Sequence, residues 1–217
     1  ESIFYNLRKK NFLKLIKKEN PLISIICPTY NRCNLLIERA INSVLKQSYK
    51  NFELLIISDG STDQTKSEVS KINDNRIRFF EISKKEKRYP ETVENHWFCG
   101  PVNAINHGLE NIKGDWICRI DDDDIWTEDH IEVLFKFAKE NNVEFVSSSQ
   151  IELRNGEKKI NNHINEKPRI GGVQTWLYAG YLSFFKANIN CWRKKWNRVN
   201  DTDIQERFVK TKIKIGF

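Results

Sequence analysis

Short apolar runs alternate with amphipathic stretches along most of the chain. Runs rich in β-branched and aromatic residues, bounded by turn residues, predict buried strands at 22–27, 52–58, 76–82 and 116–120. Apolar residues at helical spacing predict helices at 34–47, 101–114 and 127–142, and a short helix that ends at Ile72. Pro101 and Gly114 suit the first and last positions of the helix that they bound.

Strand–helix–strand units in series predict an α/β fold, with a mostly parallel sheet and helices on both of its faces. Further strands are expected at 145–153 and 158–160, and the Asn155-Gly156 pair between them is a strong hairpin signal. The last third is less regular and ends in a helix to Lys212. We divide the chain into a basic helical segment at 1–20 and two parts of one domain, 21–153 and 154–217.

Three turns are expected to meet at one edge of this sheet. Ligands of such sheets bind beyond the carboxyl ends of the strands. The turns that follow the first, second and fourth predicted strands are residues 28–32, 59–63 and 121–124. These turns should therefore line one crevice.

The chain is basic, and its charge is unevenly distributed. It has 217 residues, 39% hydrophobic and 30% charged, which suits one large domain. Of the net charge of +7, +4 lies in residues 1–20, which suggests an anionic surface partner, either lipid or nucleic acid. Apolar residues share one arc of this segment, but Arg8 and Lys18 interrupt it. We expect a helix packed on the domain, with an interfacial membrane helix as the alternative.

Other features exclude several classes of protein. The longest uncharged stretch, residues 170–185, is shorter than the roughly 20 residues of a spanning helix. Five cysteines without a C-x-x-C pair, and no leader sequence, favour reduced thiols in a cytoplasm over a disulfide framework or a zinc site. The four histidines show no ligand spacing, and His130 is expected to be structural. Because the chain contains no methionine, we expect trimmed ends.

Four consecutive aspartates, Asp121 to Asp124, carry the strongest chemical signal. Neighbouring carboxylates repel by about 1 kcal/mol per pair at 4 Å in water, and by about 4 kcal/mol at an effective dielectric near 20. A divalent cation with oxygen ligands would compensate this repulsion, and a solvated acidic turn is the alternative. An EF-hand is excluded by Ile125 and Trp126, and the phosphate-binding and dinucleotide-binding glycine motifs are missing.

The other two turns are less specific by themselves. Asp59 begins a turn that could present a free carboxylate, or could serve only as a turn and helix cap. Tyr30, in the segment PTYNR at 28–32, could stack on a nucleobase or could be buried.

Taken together, PTYNR at 28–32, SDGSTD at 58–63 and GDWICRIDDDDIW at 114–126 closely resemble the family 2 glycosyltransferases of the GT-A fold. The resemblance covers about residues 22–208. It implies inverting transfer of a sugar from a nucleotide donor, usually UDP-linked, to a hydroxyl group, with Mn²⁺ or Mg²⁺ as cofactor. Residues 21–153 would bind the donor and residues 154–217 the acceptor.

The resemblance also implies roles for individual donor-site residues. Pro28, Thr29 and Tyr30 would line the base pocket, with Arg32 in the same turn, and Asp59 would accept a hydrogen bond from the base. Asp121 would contact the ribose or a metal-bound water, and Asp123 would hold the metal. Asp122 occupies the variable middle position, and Asp124 would brace the next helix.

The catalytic base would come from the segment NDTDIQER at 200–207. Asp201 is the first choice and Asp203 the second, although Asp201 could instead be a plain helix cap. One carboxylate that deprotonates the acceptor, together with one cation on the leaving diphosphate, is sufficient for inverting transfer.

The chain departs from the family pattern at one place. Many relatives carry an arginine toward the diphosphate just before the helix that Pro101 opens here, whereas this chain has GPVN at 100–103. A basic loop at 84–88 could replace that charge as a lid, or could be an exposed charge run. Asn103 and Asn106 could face the donor sugar, or could cap and pack.

Other functions remain open from the sequence. They are a nucleotidyltransferase of related fold, a basic nucleic-acid-binding protein, and a non-catalytic relative. The acceptor is expected to be a glycan or lipid-linked glycan of a bacterial surface polysaccharide or lipopolysaccharide. The enzyme would work in the cytoplasm or at the inner face of the membrane. Four aromatic residues after Leu153 could stack on sugars or form core: Trp176, Tyr178, Tyr181 and Trp192.

Overall fold

The computed structural model describes residues 2–83, 89–193 and 200–217. Its regular elements, in chain order, are α1 (Ser2–Leu15), β1 (Ile23–Thr29), α2 (Cys33–Leu35), a π-helical segment (Leu36–Ile41), α3 (Asn42–Leu45), β2 (Phe52–Ser58), α4 (Thr65–Ser70), β3 (Ile77–Glu81), α5 (Val93–Cys99), α6 (Val102–Asn111), β4 (Trp116–Arg119), α7 (His130–Asn141), β5 (Phe145–Val146), β6 (Gln150–Arg154), β7 (Glu157–Asn161), β8 (Leu177–Ala179), α8 (Asn200–Lys210) and β9 (Ile215–Gly216). Three short 3₁₀ turns cover Val173–Thr175, Gly180–Leu182 and Cys191–Arg193.

The predicted α/β fold with a mostly parallel sheet is confirmed. Seven strands form the main sheet in the order β3-β2-β1-β4-β8-β5-β9. The first four are parallel, and every residue of β1 and β2 is buried, as apolar runs at the centre of a parallel sheet require. Helix α6 packs on β1 and β2, where a Cβ at Gly108 would lie 2.7 Å from the side chain of Ile26. The glycine therefore permits close approach of helix and strand.

A strand from the last third of the chain lies inside the sheet, which the sequence did not predict. Strand β8 is antiparallel to both of its neighbours, pairing Trp116 of β4 with Ala179 and Phe145 of β5 with Tyr178. The strand expected at 145–153 is in fact two strands, because β5 joins the main sheet and β6 leaves it. The two parts at 21–153 and 154–217 therefore share one sheet.

The predicted hairpin is confirmed as a separate two-stranded sheet of β6 and β7. Its turn residues Asn155 and Gly156 have φ values of 51° and 82°. A two-residue hairpin turn of type I′ needs positive φ at both positions, and Asn-Gly meets that need at low cost.

The N-terminal segment is a helix that packs on the domain, as expected. Phe12 and Leu15 are buried, and Arg8 lies 3.1 Å from the carboxylate of the buried Glu144. The same carboxylate accepts a hydrogen bond of 2.7 Å from the hydroxyl of Tyr181. Within the described residues, no helix is long and apolar enough to cross a membrane.

Candidate active site

The turns after β1 and β2 are joined by hydrogen bonds between them. Asn31, with φ of 51°, accepts hydrogen bonds at its side-chain oxygen from the backbone N–H of Thr62 (2.7 Å) and Asp63 (3.3 Å). Asp63 accepts from the backbone N–H of Cys33 (3.0 Å) and from the hydroxyl of Thr65 (2.6 Å). One asparagine and one aspartate therefore fix both turns and the starts of two helices.

The middle aspartates contact the first turn. Asp122 is 5% exposed and accepts from the hydroxyl of Thr29 (2.8 Å) and from Arg32 (3.1 Å). Burial raises the pKa of Asp122, and the contacts with Thr29 and Arg32 oppose that rise. Arg32 also donates to Asp123 at 2.9 Å. The guanidinium group is thus shared by a buried carboxylate and one that is half exposed.

A second arginine links the aspartates to α8. Arg119, the last residue of β4, donates to both carboxylate oxygens of Asp121 at 2.9 and 3.2 Å and to the side-chain oxygen of Asn200 at 3.4 Å. Asn200 in turn donates to the backbone carbonyl of Phe98. Burial alone would lower the pKa of Arg119, but Asp121 and Asp201 raise it. The first turn of α8, which carries Asp201, is therefore held beside β4.

A cavity of about 500 Å³ opens at this edge of the sheet, where the three turns meet as expected. Its walls come from the ends of β1, β2 and β4, the corner between α5 and α6, and the start of α8. The lining residues are Pro28, Thr29, Tyr30, Arg32, Asp59, Tyr89, His96, Trp97, Gly100, Pro101, Ala104, Arg119, Asp121, Asp122, Asp123, Asn200 and Asp201.

Most of the predicted site residues lie in this wall, including the proposed base Asp201. Tyr30 is partly exposed (36%), which argues against the buried alternative. Asn103 is not among the described lining residues. Asn106 packs instead, since its side chain exchanges hydrogen bonds of 2.9 and 2.7 Å with the backbone of Ala187.

Asp203, the second choice for the base, is placed away from the cavity. It is 6% exposed and forms an ion pair of 3.0 Å with Arg207, one helical turn further along α8. Two residues along an α-helix turn the side chain by about 200°. Asp201 and Asp203 therefore cannot both face the same cavity.

Several cavity residues carry no sequence signal that we recognised. Trp97 is 67% exposed at the wall, and the hydroxyl of Tyr89 lies 3.1 Å from Nδ1 of His96. They belong to α5 and the segment before it, which the sequence left unassigned. Arg119 could have been noticed, because it is a charged residue inside the buried strand run WICRI. The loop at 84–88, for which a lid and an exposed charge run were the alternatives, lies outside the described residues.

The four aromatic residues that could either stack on acceptor sugars or form core are largely structural. Trp176 is buried and donates to the backbone carbonyl of Gly171, and Tyr178 lies in β8 with its ring stacked on Phe145. Tyr181 is held by Glu144, and the partly buried Trp192 packs against the core. Trp176, Tyr178 and Tyr181 therefore form core, which was the second alternative. Trp192 also packs against the core.

The pattern of turns and aspartates agrees with a known family. The model of glycosyl transferase family 2 matches residues 24–198, which is most of the chain. The chain belongs to glycosyl transferase family 2. This confirms the family that the three motifs suggested.

Similar glycosyltransferases occur in several bacteria. A Rickettsia felis uncharacterized glycosyltransferase is 42% identical over 77% of this chain and 23% of its own length. The Escherichia coli UDP-Glc:alpha-D-GlcNAc-diphosphoundecaprenol beta-1,3-glucosyltransferase WfgD is 34% identical over 58% of this chain and 44% of its own length. This family 2 chain thus spans about a quarter of the length of the Rickettsia protein.

Solved structures share the fold at low sequence identity. S. aureus TarS in complex with UDP has a TM-score of 0.67 and 19% identity, over 90% of this chain and 57% of TarS. The mannosyltransferase PcManGT from Pyrobaculum calidifontis, in complex with GDP-Man and Mn²⁺, has a TM-score of 0.65 and 18% identity, over 98% of this chain and 61% of PcManGT.

Two carboxylates of this family 2 chain are candidate ligands for a metal ion. The described residues contain no group of three or more candidate metal ligands. Asp121 and Asp123 both line the cavity with partly exposed side chains, and carboxylate oxygens suit Mg²⁺ and Mn²⁺. Both carboxylates are paired with arginines in this structure, Asp121 with Arg119 and Asp123 with Arg32, so a cation would compete with these guanidinium groups.

Asp124 differs from its neighbours in its environment. Burial, and then the charges of Asp121 and Asp123, raise its pKa to about 7. Asp124 is also absent from the described lining residues of the cavity. That Asp124 braces the next helix stays a prediction. The helix that follows starts at His130, with Asp129 as its N-cap, later than the start at 127 that was expected.

Proposed function

We propose that this chain is the catalytic domain of an inverting glycosyltransferase that moves a sugar from a nucleotide donor, UDP-linked as first choice, to a hydroxyl group of a lipid-linked glycan. The donor proposal draws on TarS, whose structures contain UDP and UDP-GlcNAc. The acceptor proposal draws on relatives such as WfgD and the Campylobacter jejuni GalNAc(5)-diNAcBac-PP-undecaprenol beta-1,3-glucosyltransferase. The observation that carries the proposal is a single cavity that holds Asp59, three aspartates after β4, and Asp201.

The donor nucleotide is assigned to the turns after β1 and β2. Tyr30 offers an exposed ring at the wall, and Asp59 offers a carboxylate that can accept a hydrogen bond from a base N–H. The hydrogen bonds that Asn31 accepts from Thr62 and Asp63 hold the two turns that carry these groups in place before any ligand binds. A preformed base pocket lowers the ordering cost of binding.

The diphosphate is assigned to the aspartate turn. Asp121 and Asp123 would hold Mn²⁺ or Mg²⁺, which when bound neutralises charge that develops on the leaving diphosphate. The guanidinium group of Arg32 adds a positive charge at the same wall, in contact with Asp122 and Asp123. We assign to Arg32 the positive charge that relatives place before the helix here called α6.

Asp201 is assigned as the general base. It lies in the first turn of α8 and lines the cavity, so an acceptor hydroxyl that enters from this side meets a carboxylate. The base removes the hydroxyl proton as the oxygen attacks the anomeric carbon, and the sugar–phosphate bond breaks on the opposite face, which inverts the configuration. Such a base typically contributes about 10²- to 10⁴-fold to the rate.

The test separates donor binding from transfer. UDP-, GDP- and dTDP-sugars are titrated by calorimetry with Mn²⁺ present, and transfer is measured to undecaprenyl-diphosphate-linked sugars. We expect the unchanged chain to bind a UDP-sugar. The variant Asp201→Asn should bind the same UDP-sugar with an affinity within about twofold, and its rate of transfer should fall about 10²- to 10⁴-fold. Glu206→Gln, a change on the same helix outside the described cavity wall, is the control and should leave both unchanged.

Three results would contradict the proposal. If no nucleotide sugar binds, the donor assignment is wrong. If Asp201→Asn transfers at the rate of the unchanged protein, another group is the base. Retained anomeric configuration in the product, measured by NMR, would exclude the inverting reaction.

A further inference from the structure

The β6–β7 hairpin carries apolar side chains on its outer face. The register pairs Ile151 with Ile160 and Leu153 with Lys158, so that these four residues share one face of the two-stranded sheet. Ile151, Leu153 and Ile160 are 62%, 68% and 68% exposed. A two-stranded sheet on a protein surface normally turns its apolar face inward and its polar face to water. This hairpin does the reverse.

The opposite face of the hairpin is polar and fastens it to the domain. Gln150 accepts a hydrogen bond of 2.9 Å from the backbone N–H of Gly172 and one of 3.3 Å from the side chain of Gln174. Glu152, also on this face, accepts from Gln150 at 3.3 Å and from Asn161 at 3.4 Å. The hydrogen bonds of Gln150 with Gly172 and Gln174 tie this face to the domain, whereas those of Glu152 lie within the hairpin. The exposed aliphatic residues are therefore a stable feature of the fold.

The base of the hairpin is connected to the candidate active site. The backbone carbonyl of Gln174 accepts a hydrogen bond of 2.8 Å from the indole of Trp126. Trp126 is buried and lies two residues after Asp124. The hairpin is thus linked through Gln174 to the segment that follows the aspartate turn.

The size of the face distinguishes between kinds of partner. Its three aliphatic side chains expose on the order of 400 Å², about half of the roughly 800 Å² that each partner contributes to a standard protein interface. The face is small for a second copy of the chain or for another stable protein partner. A bilayer requires no complementary shape and accepts a few aliphatic side chains at the level of its headgroups.

The charge of the face favours an anionic lipid. Lys158 is the charged member of the four, and a lysine can extend to lipid headgroups while its stem stays among apolar groups. Lys159 pairs with Glu152 on the opposite face, so Lys158 is the basic residue of the outer face. Anionic lipids attract a basic side chain that lies near the membrane surface.

We propose that the outer face of the β6–β7 hairpin is a membrane-contact surface, which places Ile151, Leu153 and Ile160 in the interfacial region of an anionic bilayer. The choice of lipid rests on the proposed function, because a lipid-linked acceptor presents its sugar beside such a surface. Helix α1 is less suited to this role, since its Phe12 and Leu15 are buried against the domain.

The test is flotation of the 217-residue chain with vesicles of phosphatidylglycerol and phosphatidylcholine in equal parts. The unchanged chain should float with these vesicles. The triple variant Ile151→Thr, Leu153→Thr, Ile160→Thr keeps β-branched residues in the strands and should bind at least about tenfold more weakly, because most of the inserted apolar area is lost. Val133→Thr, at an exposed position of α7, is the control and should float like the unchanged chain.

Three outcomes would overturn the proposal. In the first, the unchanged chain does not float with the vesicles. In the second, the triple variant floats as well as the unchanged chain. In the third, the unchanged chain sediments as a dimer and does not bind vesicles, and the triple variant sediments as a monomer. Circular dichroism of each variant verifies that it is folded. UDP-sugar binding by the unchanged chain, measured without vesicles, separates the two proposals. If the chain binds no UDP-sugar but floats with the vesicles, the proposed function is contradicted and the membrane-contact proposal is not.

Discussion

Replacing Arg119 by methionine should destabilise the protein through the aspartates that it compensates. Methionine keeps much of the apolar stem but removes the guanidinium group, so Asp121 loses two hydrogen bonds and Asn200 loses one. Breaking a fully buried ion pair costs about 3–5 kcal/mol. Arg119 is nearly buried but the side chain of Asp121 is 35% exposed, so we expect a loss of about 2–3 kcal/mol in the free energy of unfolding.

Urea denaturation followed by tryptophan fluorescence measures this loss. A change of this size corresponds to a fall of roughly 4–12 °C in Tm for a chain of this length. Asp121→Asn alone should cost about 1.5–3 kcal/mol, because it leaves the nearly buried Arg119 without its carboxylate partner. The double variant should cost less than the sum of the single changes, because it contains neither an unpaired carboxylate nor an unpaired guanidinium group.

Lys66 provides the control for this experiment. It pairs with Glu81 at 2.7 Å, but both side chains are exposed and lie outside the described cavity wall. Lys66→Met should cost less than about 1 kcal/mol. If Arg119→Met costs no more than Lys66→Met, or if the changes at Arg119 and Asp121 are additive, the argument that burial gives the Arg119–Asp121 ion pair its weight is wrong.

Three further predictions concern single side chains. Asn31→Ala should lower the free energy of unfolding by about 1–2 kcal/mol, because alanine is strained at positive φ and the hydrogen bonds of Asn31 are lost. Asn31→Gly removes the strain but not the loss of hydrogen bonds, so it should cost less than Asn31→Ala in the same urea titration. Burial lowers the pKa of His130 to about 4, below its usual 6.5, so the folded state binds fewer protons than the unfolded state between these values and stability falls as pH falls from about 6.5 to 4. In urea midpoints measured across that range, His130→Phe should fall less steeply, and equal slopes would contradict this. Trp97→Ala should change the free energy of unfolding by no more than about 0.5 kcal/mol. It should weaken UDP-sugar binding about 3- to 10-fold, measured by calorimetry, because the exposed ring at the cavity wall offers a stacking surface.

The apolar pattern predicted the parallel half of the sheet well. Strand β2 has the bounds expected for it, and β1 and β4 differ from their predictions by one or two residues at an end. These strands are buried on both faces, which requires continuous apolar runs that are easy to see in a sequence. The meeting of three distant turns was predictable as well, because parallel strands place their carboxyl ends at one edge of the sheet.

The half of the sheet beyond β4, where β8 alone runs antiparallel, could not be predicted for the opposite reason. Strand β8 has three residues and β5 and β9 have two each, which is too short for any periodicity to show. Once β8 is known to lie inside the sheet, the burial of Trp176 and the packing of Tyr178 follow. The contribution of Trp97 was missed because an exposed aromatic residue on a short helix has no pattern of its own.

The central position of β8 has a consequence for how the chain matures on the ribosome. Until Leu177–Ala179 has been made and has left the exit tunnel, the outer edge of β4 is open and β5 has no neighbour to join it to the sheet. An open edge strand is a template for pairing with other nascent chains. Fragments that stop before this strand should therefore aggregate, and chaperones should recognise the growing polypeptide up to that point.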